Sequence, residues 1–274
     1  MRKFKLINAS NEEFDLMRKD AFFHAPDGLG IAYITEVMQA DRYFIETNRA
    51  VSQATPNGEM VFLGYEQYDE FMDFVGDNPL TLGYCPLDTW RYMDVRLGSI
   101  GKSEIDATTK RLICPIDFVC LSPWYESLEI FYTNTQQGEG KKYPYTYSYT
   151  YSDITRGSIA LTNDGSGPAA CRINILGPCT NPVWSLTQGG SVVATGRIEA
   201  TIPNGSKLVV DSSPLDPEIA EYTISNAYEQ NLYDASDFDT QRFIFIPQGA
   251  STMQFSHEGA DDISAFIEVR IPVV

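Results

Sequence analysis

Short segments that alternate apolar and polar residues, separated by tight-turn sequences, fill residues 159–211. Apolar residues occupy every second position in residues 159–163, 171–175 and 207–211, which places them on one face of an extended strand. The intervening sequences include Asn-Asp-Gly, Gly-Pro and Pro-Asn-Gly, which tolerate the dihedral angles of tight turns. The pattern predicts an antiparallel β-sandwich for the C-terminal half of the chain.

The N-terminal half predicts a second β-rich domain, a barrel or sandwich, interrupted by one short helix. Strands are expected at residues 4–16 (a hairpin), 31–38, 43–47, 80–84, 92–97 and 112–121. Residues 114–121 are mostly apolar, and we expect them to be buried on both faces. The helix is predicted from apolar residues at three- and four-residue spacing, which form a stripe facing the core: Tyr65, Tyr68, Phe71, Met72 and Val75. Gly76 is its expected C-cap.

A polar, glycine-containing stretch at residues 136–142 marks the expected domain boundary. The predicted domains are residues 1–138 and 139–274, both mainly β. Directly after the boundary, residues 143–151 carry a tyrosine at every second position, so that Tyr145, Tyr147 and Tyr149 share one face of a strand. Two interpretations are open: the row contacts a glycan or a protein partner, or it belongs to a half-buried strand whose hydroxyls reach solvent.

The chain is strongly acidic, with 37 Asp and Glu against 20 Lys and Arg and a net charge of −17 at pH 7. Both halves repel a phosphate backbone, which argues against stable nucleic-acid binding. The sequence has no apolar run of the roughly 20 residues that a membrane-spanning helix needs. The basic N-terminal residues do not lead into a signal sequence. We therefore expect a protein folded in a cytoplasm and not inserted in a membrane.

The residue types that carry chemistry do not form a recognisable site. The five cysteines and two histidines fit no metal-ligand spacing, and buried reduced thiols are expected. Residues 213–240 contain seven acids and no Lys or Arg, but Asp234, Asp237 and Asp239 lack the order of an EF-hand loop, so a solvated acidic loop is expected. Nucleotide-binding and hydrolase motifs are absent from the sequence. We expect neither enzymatic activity nor a cofactor.

Both halves resemble the siphophage distal tail protein family, which forms the hub of the tail tip or baseplate. In the N-terminal half the resemblance lies in EFDL (13–16), PDGLG (26–30), GEMVF (58–62), LGY (82–84), RYMDV (91–95) and LSPWY (121–125). In the C-terminal half it lies in RGS (156–158), LTNDG (161–165), GPCTNP (177–182) and IPNG (202–205).

The resemblance implies a ring-forming N-terminal domain and a galectin-like C-terminal sandwich. It implies a homohexameric ring at the virion tail tip, assembled in the cytoplasm of the host bacterium, with no catalytic residues. The implied partners are the tail tube protein, the tail-associated hub or lysin protein, and a receptor-binding protein, while DNA passes only in transit. A channel for DNA should not be basic. The acidic residues of the helix are either a lining of that channel or an ordinary solvated outer face: Glu66, Asp69, Glu70 and Asp73.

A carbohydrate-binding, galectin-like adhesion protein is the alternative. A galectin-type sugar site needs a histidine and arginines beside a tryptophan. Only Arg172 and Arg197 are candidates near Trp184, and that region has no histidine. The composition of the region therefore favours the structural hub over the sugar-binding protein.

We expect that replacing Tyr145, Tyr147 and Tyr149 by Ser leaves glycan binding unchanged, because the row packs against the fold or contacts protein. A glycan array of the wild type and the triple variant measures this. Reproducible binding by the wild type that the variant loses would contradict the expectation.

Overall fold

The computed structural model describes residues 2–132, 156–259 and 262–273. The chain forms two compact units, one of Met1–Glu126 with Val273–Val274 and one of Ser127–Pro272. The fold is mainly β with antiparallel sheets, as the sequence predicts. The predicted boundary between residues 138 and 139 lies outside the described residues and stays a prediction.

The first unit contains ten strands, the last of which continues into the second unit. They are β1 (Lys3–Ile7), β2 (Glu13–Asp15), β3 (Ala21–Asp27), β4 (Tyr33–Ala40), β5 (Tyr43–Val51), β6 (Asn57–Phe62), β7 (Leu80–Cys85), β8 (Arg91–Ile100), β9 (Leu112–Cys120) and β10 (Tyr125–Phe131). Seven of them pair antiparallel in the order β2-β1-β7-β8-β9-β6-β3. A bridge between Met17 and Phe22 then connects the end of β2 to β3, so the sheet closes on itself in the manner of a barrel.

Strict alternation of burial along β9 shows how this sheet holds its core. Every second residue from Leu112 to Cys120 is buried, whereas Pro115 and Val119 are exposed. The expectation that this segment is buried on both faces is therefore wrong. The residues between the buried ones are half-buried or exposed, and the apolar residues on that outward face reflect strand preference rather than burial.

The helix α1 (Tyr65–Gly76) lies where the spacing predicts it. Tyr68, Phe71 and Val75 are buried in the barrel core, and the Phe71 ring packs edge-on against Phe14. The predicted glycine cap is wrong: Gly76 is the last helical residue, and Asp77 follows with a φ of −87°, outside the left-handed region.

The second unit is a sandwich of two antiparallel sheets. Its strands are β11 (Arg156–Asn163), β12 (Ala169–Leu176), β13 (Cys179–Thr180), β14 (Val183–Gln188), β15 (Ser191–Arg197), β16 (Thr201–Ile202), β17 (Ser206–Asp211), β18 (Glu218–Thr223), β19 (Tyr228–Asn231), β20 (Phe245–Ile246), β21 (Gly249–Ser256) and β22 (Ser264–Pro272). One sheet has the order β19-β18-β17-β12-β22 and the other β11-β21-β14-β15. The β-sandwich predicted for this half is confirmed.

The apolar residues of the alternating segments meet between these two sheets. Ile173 and Ile175 of β12, Leu208 of β17, and Leu161 of β11 are buried in one core with Trp184 of β14. The expected acidic loop at residues 213–240 is wrong, because β18 and β19 lie within it. Glu221 of β18 is buried and accepts a hydrogen bond of 2.7 Å from Gln230 Nε2 of β19.

We predict that Phe71→Ala lowers the free energy of unfolding by about 3–5 kcal/mol, because the truncation leaves a cavity in the barrel core. Asp73→Ala on the exposed side of the same helix is the matched control, with an expected change within about 0.5 kcal/mol. Denaturant unfolding of both variants measures the difference. Equal midpoints for Phe71→Ala and the wild type would show that the stripe is not a core element.

Candidate assembly surfaces

The acidic face of α1 is exposed in the folded chain. Glu66, Asp69, Glu70 and Asp73 all lie on the solvent side of the helix, opposite the buried stripe. The structure therefore leaves these residues accessible, and whether they line a channel stays a proposal.

Two of these four acids lie beside cations of the same unit. Arg18 Nη1 donates to Glu70 Oε1 at 2.7 Å, and Arg18 Nη2 donates to Asp20 Oδ2 at 2.9 Å. The hydrogen bonds to Asp20 and Glu70 raise the pKa of the Arg18 guanidinium, and the same contact lowers the pKa of Asp20. Lys102 Nζ lies 4.0 Å from Asp69 Oδ1. The acidic face thus carries less net negative charge than its sequence indicates.

The most unusual surface is the exposed hairpin, residues 33–51, made of β4, the turn at Asp41 and Arg42, and β5. The two strands pair only with each other, as a two-stranded sheet of their own. All their residues are exposed except Ala40, which is half-buried. The large apolar side chains among them are Tyr33, Ile34, Val37, Met38, Tyr43, Phe44, Ile45 and Val51.

An apolar cleft of about 470 Å³ opens at the base of the exposed hairpin, within the first unit. Leu29, Tyr84, Met93 and Trp124 contribute to its lining. Trp124 Nε1 donates to the carbonyl oxygen of Leu29 at 3.0 Å, and the Tyr84 ring packs against the indole with centroids 5.9 Å apart. These contacts fix the aromatic wall of what we call the Trp124 cleft.

The sandwich does not present Trp184 as a sugar-stacking residue. The indole is fully buried, and it lies opposite Gly196 of β15, where a side chain on the glycine would collide with the ring. Arg197 is directed instead to Glu258, with Nη2 donating to Oε1 at 3.0 Å. The sugar site considered for the alternative function is therefore not formed around this tryptophan. The tyrosine row, with Tyr145, Tyr147 and Tyr149, lies outside the described residues and stays a prediction.

The thiols are structural residues of the two cores. All five cysteines are reduced and buried, as the sequence predicts. Burial raises the pKa of Cys120 and of Cys171 to about 12 and that of Cys179 to about 11, which disfavours the reactive thiolate. Within residues 2–132, 156–259 and 262–273, no three His, Cys, Asp or Glu side chains are grouped to hold a metal ion. The same described ranges contain no helix long and apolar enough to span a bilayer.

The first unit matches a known protein family. Residues 3–121, nearly the whole first unit, match the family described as the distal tail protein, N-terminal domain. This part of the chain is similar to the N-terminal domain of the distal tail proteins. The resemblance predicted from the sequence is confirmed over these residues, and distal tail proteins are components of the phage virion tail. The members of this family are structural proteins.

Solved structures extend the likeness to the whole fold of the chain. A chain in the baseplate of phage P2, in its activated conformation with Ca, has a TM-score of 0.73 at 18% identity, and 100% of both chains is covered. The same baseplate with Sr gives the same values. The Dit protein of SPP1, described as a paradigm of the hub adsorption apparatus in phages that infect Gram-positive bacteria, has a TM-score of 0.60 at 11% identity, with 97% of this chain and 98% of that chain covered. A comparison with curated proteins finds no match.

Sequence reasoning missed the exposed hairpin as a surface, although it predicted both strands. The available signal was the pairs of consecutive apolar residues, Tyr33-Ile34, Val37-Met38 and Tyr43-Phe44, which put apolar side chains on both faces of a strand. Such a strand needs cover on both sides, and residues 2–132, 156–259 and 262–273 of its own chain provide none.

We predict that the native protein reacts very slowly with a thiol reagent such as DTNB at pH 8, and that all five thiols react after unfolding in guanidinium chloride. Rapid labelling of the native protein would contradict the buried assignment.

The folded state also holds the protons of Cys120 and Cys171 more tightly than the unfolded chain, so the free energy of unfolding should fall as pH rises from about 9 toward 12.

Proposed function

We propose that this protein is a distal tail protein, the hub of a phage tail tip, in which six copies close a ring. The ring joins the tail tube protein to the tail-associated hub or lysin protein. Receptor-binding components attach to the outer part of the ring, which is formed by the second unit. Assembly takes place in the host cytoplasm. The observation that carries the proposal is the family match over residues 3–121.

The likeness to a baseplate chain over 100% of both chains supports the proposal, because both units belong to one shared architecture. A protein that served only as a sugar-binding module would need no ring-forming domain. The buried Trp184 removes the tryptophan that a galectin-type sugar site needs, which favours the structural hub over sugar binding by the sandwich.

The charge of the chain suits a ring through which DNA passes. A passage lined by Lys or Arg would bind phosphates with release of counterions and would retain the genome in transit. A net charge of −17 per copy favours an acidic or neutral passage instead. All four candidate lining residues of α1 are exposed to solvent: Glu66, Asp69, Glu70 and Asp73. We propose that no basic ring surrounds the narrowest part of the channel.

We predict that the purified protein forms a hexamer of about 184 kDa, six times 30.7 kDa, in light scattering at micromolar concentration and above. Negative-stain images should show rings, and a particle structure should show six-fold symmetry with no basic residues at the narrowest point. A ring of another symmetry, or arginines around the channel, would contradict the prediction.

Labelling of assembled particles tests the location independently of the ring in solution. Particles that carry a tagged copy of the protein should bind gold particles at the tip of the tail. An untagged particle is the control for background. Label along the tube, or at the head, would contradict the assignment to the tail tip even if the isolated protein formed rings.

A further inference from the structure

The exposed hairpin carries apolar side chains on both of its faces. In the register of β4 and β5, Met38 lies opposite Ile45, and Gln39 lies opposite Phe44. Met38 and Ile45 therefore share one face, while Phe44 lies on the other. Tyr43 and Phe44 at the tip are 75% and 70% exposed. An isolated two-stranded hairpin is marginally stable in water unless a third strand or another layer covers it.

The exposed hairpin cannot be covered by the cleft of its own chain. Ile31 and Val51, at the base of the hairpin, are part of the lining of the Trp124 cleft. The tip is separated from this base by the eight residues of β4, which span roughly 26 Å when extended. A tip at that distance reaches a cleft of this kind only on another molecule.

The charge of the hairpin favours contact with a second copy of this acidic chain. The hairpin carries a net charge of only −1, whereas the whole chain carries −17. Its charged residues are Glu36, Asp41, Arg42, Glu46 and Arg49. Two copies can therefore approach through the hairpin without the repulsion that acts between the rest of their surfaces. The hairpin also has unpaired strand edges, which are templates for contact with another chain.

The Trp124 cleft has the size and chemistry to receive such a tip. Its volume of about 470 Å³ lies in the range of pockets that enclose small ligands, so it can hold the rings of Tyr43 and Phe44. Its walls are mainly apolar and are held in place by the Trp124–Leu29 hydrogen bond. Aromatic anchors in a preformed apolar pocket are the usual centre of a protein interface.

We propose that the exposed hairpin is an assembly arm whose tip, Tyr43 and Phe44, occupies the Trp124 cleft of a second copy. Each copy then gives one tip and receives one tip. A contact between two different patches of the same chain is head-to-tail, and it closes into a ring when the rotation between copies permits. The inference rests on the proposed ring and names the surfaces that form it.

The first test is the oligomeric state of Tyr43→Ser with Phe44→Ser, measured by light scattering over a range of concentrations. We expect association to weaken at least tenfold, with an unchanged melting temperature in dilute, dissociated protein, where both side chains are exposed. Val192→Ser with Val193→Ser, two exposed apolar residues of β15, is the matched control and should associate like the wild type.

The second test is cross-linking of Phe44→Cys with Ser52→Cys, which places one thiol at the tip and one in the lining of the cleft. Phe44 lies in the arm and Ser52 directly follows its last residue, Val51, roughly eight residues or 26 Å away, so a disulfide between the two positions forms only between copies. Mild oxidation should give dimers and higher species. Val192→Cys with Ser52→Cys is the control and should give none.

The outcomes of these tests distinguish the proposed assembly arm from the proposed ring. Rings that persist in the Tyr43 and Phe44 variant and give no cross-link would overturn the arm and leave the proposed function standing. A wild type that stays monomeric but cross-links through the arm would support the contact. A monomeric wild type without cross-links would overturn the arm, and the location of the tagged protein at the tail tip would still decide the proposed function.

Discussion

Each of the two units is stabilised by burial of alternate side chains, inside a closed sheet in the first unit and between two sheets in the second. In the first unit, Phe4, Phe23 and Phe118 point inward from β1, β3 and β9, and α1 adds Phe71 to the same core. In the second unit the two sheets bury Trp184 between them. Complete burial of one such side chain contributes about 1.5–3 kcal/mol, so a strand or helix that lacks a covering layer loses its main source of stability. The exposed hairpin is in that position, and this links the fold to assembly.

The sequence was sufficient for elements whose signal is local. Alternation in residues 171–175 and the three- and four-residue spacing from Tyr65 to Val75 predicted β12 and α1, because each period reports one buried face. Prediction from the sequence failed where a residue distant in the chain changes the environment of another residue. Composition alone made residues 213–240 a solvated loop, whereas Gln230 supplies the hydrogen bond that permits Glu221 to be buried. Gly76 was expected to cap α1, but Asp77 leaves the helix with its side chain bound to the backbone N–H of Ser10.

The assembly surfaces were harder to predict than the fold. Consecutive apolar residues in β4 and β5 indicate a strand covered on both faces, but the pattern is the same whether the cover comes from the same chain or from another copy. The tryptophan of the sandwich raises a related problem. Trp184 is a candidate sugar platform by residue type, and only the pairing of β14 with β15, which puts Gly196 opposite the indole, shows that the ring lies in the core. Family resemblance led to the proposed tail hub, whereas residue chemistry alone gave no function.

We propose one physical account of this protein: each of the two units has its own core, and the exposed hairpin is completed by a neighbouring copy. Hydrogen–deuterium exchange of the backbone amides in residues 33–51, compared between dilute protein and the assembled ring, tests this most directly. The account predicts fast exchange in the dilute protein and strong protection in the ring, while β9 and β12 stay protected in both. Equal protection of the hairpin in both states, or fast exchange within the ring, would contradict it.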